Sequence, residues 1–222
     1  MGAKNRFRDL QLYSTKEVKF NQDKHLPVAK TENPTNADIE AVQSGVCAAA
    51  AMQYLLDSYK GTTMFQRGKG VKTVDMIANK TLILKFAAWQ HKFKTGVYRN
   101  DQLQGVWDLA ESMFTLVERF NGAKTLSPEQ PKIELTAELL KGRYDKLKEG
   151  GYWISYDVES HGAHAVAVFR LQDGSCKFFD ANIGAYHIQK ANFDTFFQRY
   201  VEIYASAVKW KITEGIMFFM RY

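Results

Sequence analysis

Three residues of this 222-residue sequence have side chains that could together perform nucleophilic catalysis, namely Cys47, His164 and Asp180. Cys47 lies in the segment Val46–Met52, which is apolar throughout and contains four alanines, so it falls in the first turn of a predicted buried helix. Unpaired backbone N–H groups and the positive end of the helix dipole stabilise a thiolate at that position. The sequence thus offers a low-pKa nucleophile, although a cysteine among alanines is also typical of core packing.

A nucleophilic cysteine needs a general base, and the base needs a group that orients it. Residues 163–181 are predicted to form a β-hairpin, with His164 near its start and Asp180 near its end. A two-residue loop would put these side chains on opposite faces. A three-residue loop, Gln172–Gly174 with a left-handed glycine, pairs Asp180 with Val166 instead. His164 is two residues from Val166, so this register, favoured by Gly174, puts both side chains on one face.

Other residues compete for the remaining roles. His161 is an alternative base, but its turn, Glu159–Gly162, is predicted to be a loop at the rim of the site. Gln43 precedes Cys47 by four residues and could donate to an oxyanion together with the Cys47 backbone N–H, or could simply be solvated. Asn182 could orient a ring nitrogen or cap a turn.

Neither a metal nor a cofactor is predicted. His25, His91 and His187 have no companion ligands and are interpreted as surface or packing residues, and no His/Cys/Asp cluster has ligand spacing. The chain has no Gly-rich phosphate loop and no alternation of strands and helices typical of a Rossmann fold. Cys47 and Cys176 are too few for a disulfide framework.

The order of the predicted elements indicates an α+β fold with an antiparallel sheet, since helices come first and strands last. Ser44 is the predicted N-cap of the Cys47 helix, and a break in the pattern is predicted at Ser127–Pro131. Further helices are predicted at Thr73–Lys92, Asp101–Phe120, Ala137–Glu149 and Asn192–Tyr204. Strands are predicted at Gln11–Phe20, Tyr152–Val158, Ala163–Leu171, Ser175–Ala181, Ala185–Ile188, Ala207–Ile212 and Gly215–Tyr222. Residues 1–36 are predicted to be an N-terminal arm and residues 37–222 a single catalytic domain.

Composition excludes several classes of protein. Hydrophobic residues make up 45% of the chain, enough for a buried core and against a mainly disordered protein. No apolar run approaches the roughly 18 residues of a membrane span, and no signal peptide is visible, so we expect a soluble protein. The net charge of +6 comes from scattered basic residues, which is typical of a solvated face, and no nucleic-acid partner is expected.

The sequence resembles the YopT/AvrPphB-type cysteine peptidases, papain-like proteases that bacteria inject into host cells as effectors. The similarity lies in Ser44–Ala49, Gly162–Val166 and Phe178–Gly184, and it covers about residues 40–190. The family's catalytic Cys, His and Asp match Cys47, His164 and Asp180. The resemblance implies a papain-like fold whose helical N-terminal part carries the cysteine on a buried central helix and whose C-terminal antiparallel sheet carries the histidine and aspartate.

The resemblance also implies a function and a setting. It implies a thiol endopeptidase, a secreted effector or toxin, that cleaves a protein in a host or rival cell. It further implies delivery by a bacterial non-Sec secretion system, with a chaperone or an inhibitor (immunity) protein as further partners. The chain departs from the family where relatives carry Pro after the aspartate and an acidic residue after the following glycine, positions occupied here by Ala181 and Ala185. These departures concern cleft shape and substrate choice.

Two alternatives remain open at this point. A deamidase or transglutaminase toxin can use the same triad on a glutamine side chain, because it passes through the same kind of acyl-enzyme. A catalytically silent module could instead dock its basic surface on an acidic or membrane partner, in which case Cys47 would titrate as an ordinary thiol near about 8.5.

Overall fold

The computed structural model describes residues 7–22, 45–62, 84, 86–90, 148–158, 162–208 and 212–221, together with the backbone of 127–134. The strands of the described residues are β1 (Thr15–Val18), β2 (Ser127–Glu134), β3 (Gly150–Val158), β4 (Gly162–Arg170), β5 (Cys176–Asp180), β6 (Gly184–Ile188) and β7 (Ile212–Arg221). Helix α1 spans Cys47–Lys60 and helix α2 spans Phe193–Ile203. Short helical turns lie at Asp9–Leu12, Lys190–Asn192 and Tyr204–Val208.

The strands form one seven-stranded sheet in the order β1-β6-β5-β4-β3-β7-β2. Every neighbouring pair is antiparallel, which confirms the predicted antiparallel sheet. Strands β3 to β6 follow one another in the chain and pair as consecutive hairpins, so short connections are sufficient. This arrangement puts β4 and β5, which carry His164 and Asp180, near the middle of the sheet.

Helix α1 packs on one face of the sheet. Its residues from Cys47 to Met52 are all buried, and the four alanines allow the helix to lie close to β3, β4 and β5. The indole of Trp153 on β3 reaches the helix and donates from Nε1 to the Ala48 carbonyl over 3.1 Å. The helix ends at Gly61, whose left-handed φ of 66° gives a normal C-terminal stop.

Helix α2 covers the opposite face. Its buried side chains, Phe193, Phe196, Phe197, Tyr200 and Ile203, recur at three- and four-residue spacing and form one apolar stripe. Phe178 of β5 packs against this stripe with ring centroids 5.1–5.5 Å apart in edge-on geometry. Because side chains alternate along a strand, the next residue, Phe179, points to the α1 face, and Asp180 points to the α2 face.

Several of the predicted element boundaries are wrong. The strand predicted at Gln11–Phe20 is shorter, since Asp9–Leu12 forms a helical turn and β1 spans only Thr15–Val18. Residues 127–131 do not break the chain pattern but begin β2, an edge strand whose pairing with β7 shifts between Glu129 and Ile133. Prolines are tolerated in an edge strand because it has an unpaired side. The strand predicted at Ala207–Ile212 is also wrong at its start, since Tyr204–Val208 forms a π-helical turn, and residues 209–211 lie outside the described residues.

The start of α1 also differs from the prediction, because the N-cap is Val46, without a side-chain hydrogen bond, rather than Ser44. Residues 84 and 86–90 are helical, as predicted for Thr73–Lys92. The remainder of that predicted segment, all of Asp101–Phe120 and residues 137–147 lie outside the described residues, and Lys148 and Glu149, at the end of the helix predicted at Ala137–Glu149, are not helical.

Part of the predicted N-terminal arm contributes to the sheet, since β1 pairs with β6 at its edge. The boundary between residues 36 and 37 lies outside the described residues, so the division into an arm and a catalytic domain stays a prediction. None of the helices in the described ranges is long and apolar enough to cross a membrane.

We expect Gly184→Ala to lower the free energy of unfolding by more than about 2 kcal/mol. Gly184 has a φ of 103°, and a Cβ there would overlap the carbonyl oxygen of Val18 on the neighbouring strand. Gly61→Ala is the matched control, because Gly61 has a φ of 66° but no heavy atom within 4 Å of an added Cβ. Urea unfolding should show a clearly smaller loss for Gly61→Ala, and equal losses would contradict this account of the contact between β1 and β6.

Candidate active site

Cys47 is the first residue of α1 and is 7% exposed. The backbone N–H groups beside it donate to glutamine side chains. Val46 N donates to Gln22 Oε1 over 2.9 Å, and Ala48 N and Ala49 N donate to Gln90 Oε1 over 2.9 and 3.3 Å. The helix start is therefore held by two buried amides, with the Cys47 N–H between them.

His164 and Asp180 meet on one face of the β4–β5 hairpin. Leu171 N donates to Ser175 O over 2.9 Å and Gly174 has a φ of 80°, which confirms the predicted three-residue loop. Val166 pairs with Asp180, as that loop requires. The imidazole Nε2 of His164 lies 2.9 Å from Asp180 Oδ1. Hairpin geometry alone therefore brings the two side chains into hydrogen-bond contact.

Both carboxylate oxygens of the fully buried Asp180 accept hydrogen bonds. Oδ1 also accepts from the backbone N–H of Asn182 over 2.7 Å. Oδ2 accepts from the hydroxyls of Tyr200 and Tyr204 over 2.7 and 2.6 Å. Burial by itself would raise the pKa of Asp180, but the charge and hydrogen bond of His164 and the other donors hold that pKa below its usual value.

The tyrosine hydroxyls remain neutral donors at physiological pH. Burial and the charge of Asp180 raise the pKa values of Tyr156, Tyr200 and Tyr204 well above the ordinary value of 10.0. Tyr156 Oη lies 2.7 Å from Tyr200 Oη, and its ring stands edge-on to the His164 imidazole at 5.5 Å. The carboxylate and the imidazole are thus enclosed by aromatic side chains on the α2 face.

The Cys47 thiol hydrogen-bonds to the His164 imidazole. Burial opposes ionisation of the thiol, but the hydrogen bond and charge of His164, with the backbone N–H of Ala165, outweigh it and lower the pKa of Cys47. Burial likewise opposes protonation of His164, but Asp180 and Cys47 outweigh it and raise the pKa of the imidazole. Among the described groups, Tyr156 is a further titratable neighbour of the thiol. These shifts favour a thiolate–imidazolium pair near neutral pH.

Asn182 and Gln22 join the two parts of the site. The Gln22 Nε2 donates to Asn182 Oδ1 over 2.6 Å, and Asn182 Nδ2 donates to Tyr204 Oη over 3.2 Å. Asn182 therefore orients the carboxylate through its backbone N–H and Tyr204. Of the two roles predicted for it, this is closer to capping the turn than to orienting the ring nitrogen.

Several of the candidate residues lie elsewhere. Gln43, His161, His25 and His91 lie outside the described residues. His187 lies on β6, where its Nε2 is 3.1 Å from Ser175 Oγ. Cys176 is a free, buried thiol on β5 whose pKa is raised by burial. No group of three or more acidic, His or Cys side chains in the described ranges is arranged to hold a metal ion.

The residues that surround the predicted trio were not predicted from the sequence, namely Gln22, Gln90, Tyr156, Tyr200 and Tyr204. Tyr200 and Tyr204 had a detectable signal, since their four-residue spacing puts both on the buried stripe of the helix predicted at Asn192–Tyr204. Gln22 and Gln90 had none, because each reaches α1 through a contact between residues far apart in the sequence.

Chemically, this arrangement supports acyl transfer. A buried thiol at a helix N-terminus contacts an imidazole, and a carboxylate holds that imidazole from the other side. Covalent catalysis at a carbonyl carbon requires a nucleophile, a base and an orienting group, and side chains of these types in this arrangement can fill those roles.

Comparison with solved structures establishes the fold. The crystal structure of the Pseudomonas avirulence protein AvrPphB matches with a TM-score of 0.56 and 12% identity, covering 80% of this chain and 92% of that one. PatoxP, a cysteine protease-like domain of the Photorhabdus asymbiotica toxin PaTox, matches with a TM-score of 0.42 and 12% identity, covering 97% of this chain and 59% of that one. No family model and no curated protein matches the sequence. The chain therefore has the α+β, papain-like fold of AvrPphB, as its resemblance to the YopT/AvrPphB-type peptidases implies.

Proposed function

We propose that this protein is a cysteine endopeptidase in which Cys47 is the nucleophile, His164 the general acid and base, and Asp180 the group that orients His164. The observation that carries the proposal is the chain of hydrogen bonds from the Cys47 thiol through the His164 imidazole to Asp180. His164 Nε2 lies 2.9 Å from Asp180 Oδ1. A merely packed cysteine needs no imidazole contact, and a merely structural histidine needs no thiol.

The first half of the reaction forms an acyl-enzyme. The Cys47 thiolate attacks the carbonyl carbon of a peptide bond, and the carbonyl oxygen takes up negative charge. The Cys47 backbone N–H, at the start of α1, is the proposed oxyanion donor, with Gln43 as a second candidate. As the tetrahedral intermediate collapses, the protonated His164 gives its proton to the leaving amine and the C–N bond breaks.

The second half releases the product. His164, now neutral, removes a proton from a water molecule that attacks the thioester carbonyl. The C–S bond breaks, the carboxylic acid product leaves, and the thiolate–imidazolium pair is restored. Asp180 keeps the Nε2 side of the ring fixed through both steps, so that the other nitrogen faces the thiol.

We further propose that the protein acts as an effector or toxin in a target cell, on a protein substrate. The support is its fold, which it shares with an avirulence protein of Pseudomonas. Delivery by a bacterial non-Sec secretion system and an accessory chaperone or inhibitor protein belong to the same proposal.

The test is an unbiased search for cleavage products. The protein would be incubated with lysates of candidate target cells, and new protein N-termini would be identified by mass spectrometry, with Cys47→Ala as the blank. We expect N-termini that appear with the wild type and are absent with Cys47→Ala. The variant should stay folded, because Cys47 is replaced by another small residue beside four alanines.

The same experiment separates the alternative reactions. A deamidase would leave the chains whole and convert a glutamine amide to an acid, and a transglutaminase would join two molecules. Activity that persists in a folded Cys47→Ala protein would refute the role of the thiol altogether.

A further inference from the structure

We propose that Gln22 is a positioning residue that fixes the distance between the start of α1, which carries Cys47, and the turn after Asp180. The inference deepens the proposed function and rests on it, since this distance matters only if Cys47 and His164 act together. Gln22 does not touch the reacting atoms, so it would act through the backbone of α1 and through Asn182.

The side-chain amide of Gln22 uses both of its ends. Its Oε1 accepts from the backbone N–H of Val46, the residue before the nucleophile, over 2.9 Å. Its Nε2 donates to Oδ1 of Asn182, two residues after Asp180, over 2.6 Å. One planar group therefore spans the gap between the elements that carry Cys47 and Asp180, and its length sets their separation.

The backbone around Gln22 is anchored as well. Gln22 N donates to the carbonyl of Ala181 over 2.7 Å, and Asn21 Nδ2 donates to the carbonyl of Asn182 over 2.6 Å. Phe20 is buried with its ring 6.1 Å from that of Phe179. The amide is thus held at a fixed place beside the Asp180 turn rather than at the end of a loose chain.

The local sequence at α1 accommodates the same contact. Gly45 has a φ of 80°, and a Cβ there would lie 3.2 Å from Gln22 Oε1. A side chain at residue 45 would crowd the amide, so glycine allows Gln22 to reach Val46. Gln22 itself is 8% exposed, and its hydrogen bonds to Val46 and Asn182 compensate the cost of burying a polar amide.

The distance between the two parts of the site has to be fixed because they are held from opposite faces of the sheet. Helix α1 packs with Ala165 and Phe179 on one face of the sheet, whereas His164 and Asp180 are held from the α2 face by tyrosines. The thiol–imidazole hydrogen bond depends on the distance between these two parts. A small shift of α1 would weaken that bond without disturbing the contact between His164 and Asp180.

The test measures the alkylation of Cys47 by iodoacetamide at pH 6 and pH 9, by peptide mass spectrometry, in Gln22→Ala. We expect the rate at pH 6 to fall about tenfold, because a higher thiol pKa lowers the thiolate fraction at that pH, while the rate at pH 9, where the thiol stays mostly ionised, changes less than about twofold. The difference between the two pH values is diagnostic. A blocked site would change both rates alike, whereas a loss of folded protein would expose the buried thiol of Cys176, so Cys176 must label slowly at both pH values.

Gln11→Ala is the matched control, since it makes the same substitution at an exposed residue of the same N-terminal segment. It should leave both rates at the wild-type value. Gln22→Ala rates that equal those of Gln11→Ala at both pH values, or that fall equally at both, would overturn the positioning role. A wild type that is itself unreactive at pH 6 would refute the proposed function instead.

A second variant tests the path of the effect. Asn182→Ala should lower the pH 6 rate by a similar factor, and the double variant Gln22→Ala/Asn182→Ala should fall no more than about twofold below either single variant. Non-additivity is expected because both substitutions break the same bridge. Fully additive losses would show that Gln22 does not act through Asn182 and would overturn the proposal.

Discussion

His164→Ala is expected to lower the rate of Cys47 alkylation at pH 6 by about 10²-fold or more. In the wild type, His164 lowers the pKa of the Cys47 thiol against the opposing effect of burial. Without the imidazole, burial remains and the thiol pKa returns to about 8.5 or higher, so only about 0.3% of the thiol is ionised at pH 6. Iodoacetamide reacts with the thiolate alone, and its rate reports that fraction.

The sign of the pH dependence follows from the same shifts. The wild-type rate should rise through a thiol pKa below the usual value and then stay level, because the thiolate persists on the alkaline side. The His164→Ala rate should keep rising up to pH 9, so the two profiles converge there. The measurement is the alkylation rate from pH 4 to pH 9 by peptide mass spectrometry.

Cys176 provides an internal control in every sample. It is buried on β5 and its thiol pKa is raised by burial, so it should label slowly in both proteins. Cys176→Ala should leave the Cys47 profile unchanged. Superimposable Cys47 profiles for the wild type and His164→Ala would show that the thiol is merely packed, and the catalytically silent module would then be the better hypothesis.

The part of the fold that could be predicted is the part set by local patterns. The hairpin of β4 and β5 is an example, since Gly174 as the third loop residue determines the loop length, and the loop length determines the pairing of Val166 with Asp180. The two faces of the sheet follow from the alternation of side chains along β5. Strand β2 could not be predicted, because its prolines disfavour strands except at a sheet edge, and edge position is a property of the whole sheet.

The residues of the candidate site likewise fall into those with a local sequence signal and those without one. Cys47, His164 and Asp180 have types and local positions that suggest chemistry, so they could be named from the sequence. Gln22 carries no such signal, since its contacts with Val46 and Asn182 join positions distant in the chain. Gln43 stays a prediction, because it lies outside the described residues.

Asp180→Asn is expected to remove most of the low-pH reactivity of Cys47, by about 10²-fold at pH 6. The carboxylate holds the His164 pKa above its usual value against burial. With a neutral amide in its place, burial leaves the imidazole neutral, and the Cys47 thiolate loses its cationic partner. The amide also offers one acceptor oxygen where Asp180 offers two, so either the pair of tyrosine hydroxyls or the pair formed by His164 and the Asn182 N–H loses its acceptor.

The free energy of unfolding should change with pH in a way that identifies the ion pair of His164 and Asp180. The pKa of Asp180 is lowered by folding, so its contribution is present above its unfolded value of about 4 and is lost as pH falls through the folded value. The pKa of His164 is raised to about 10, so its contribution is complete below about 6.5 and is lost as pH rises through about 10. Asp180→Asn should therefore be least stable relative to the wild type between about pH 4 and 6.5, by about 3–5 kcal/mol.

Asp57→Asn is the matched control for this substitution. Asp57 lies on α1, where Gln53 and Thr62 donate to its Oδ1 over 3.1 Å, and burial raises its pKa instead of lowering it. Replacing this carboxylate should leave Cys47 alkylation unchanged and should not destabilise the protein at neutral pH, because an ionised Asp57 is disfavoured by its surroundings. Urea unfolding across pH 3–10 measures both variants. If Asp180→Asn and Asp57→Asn lost the same stability at every pH, Asp180 would be an ordinary buried acid rather than the partner of an imidazolium, and the mechanism would lose the group that orients its base.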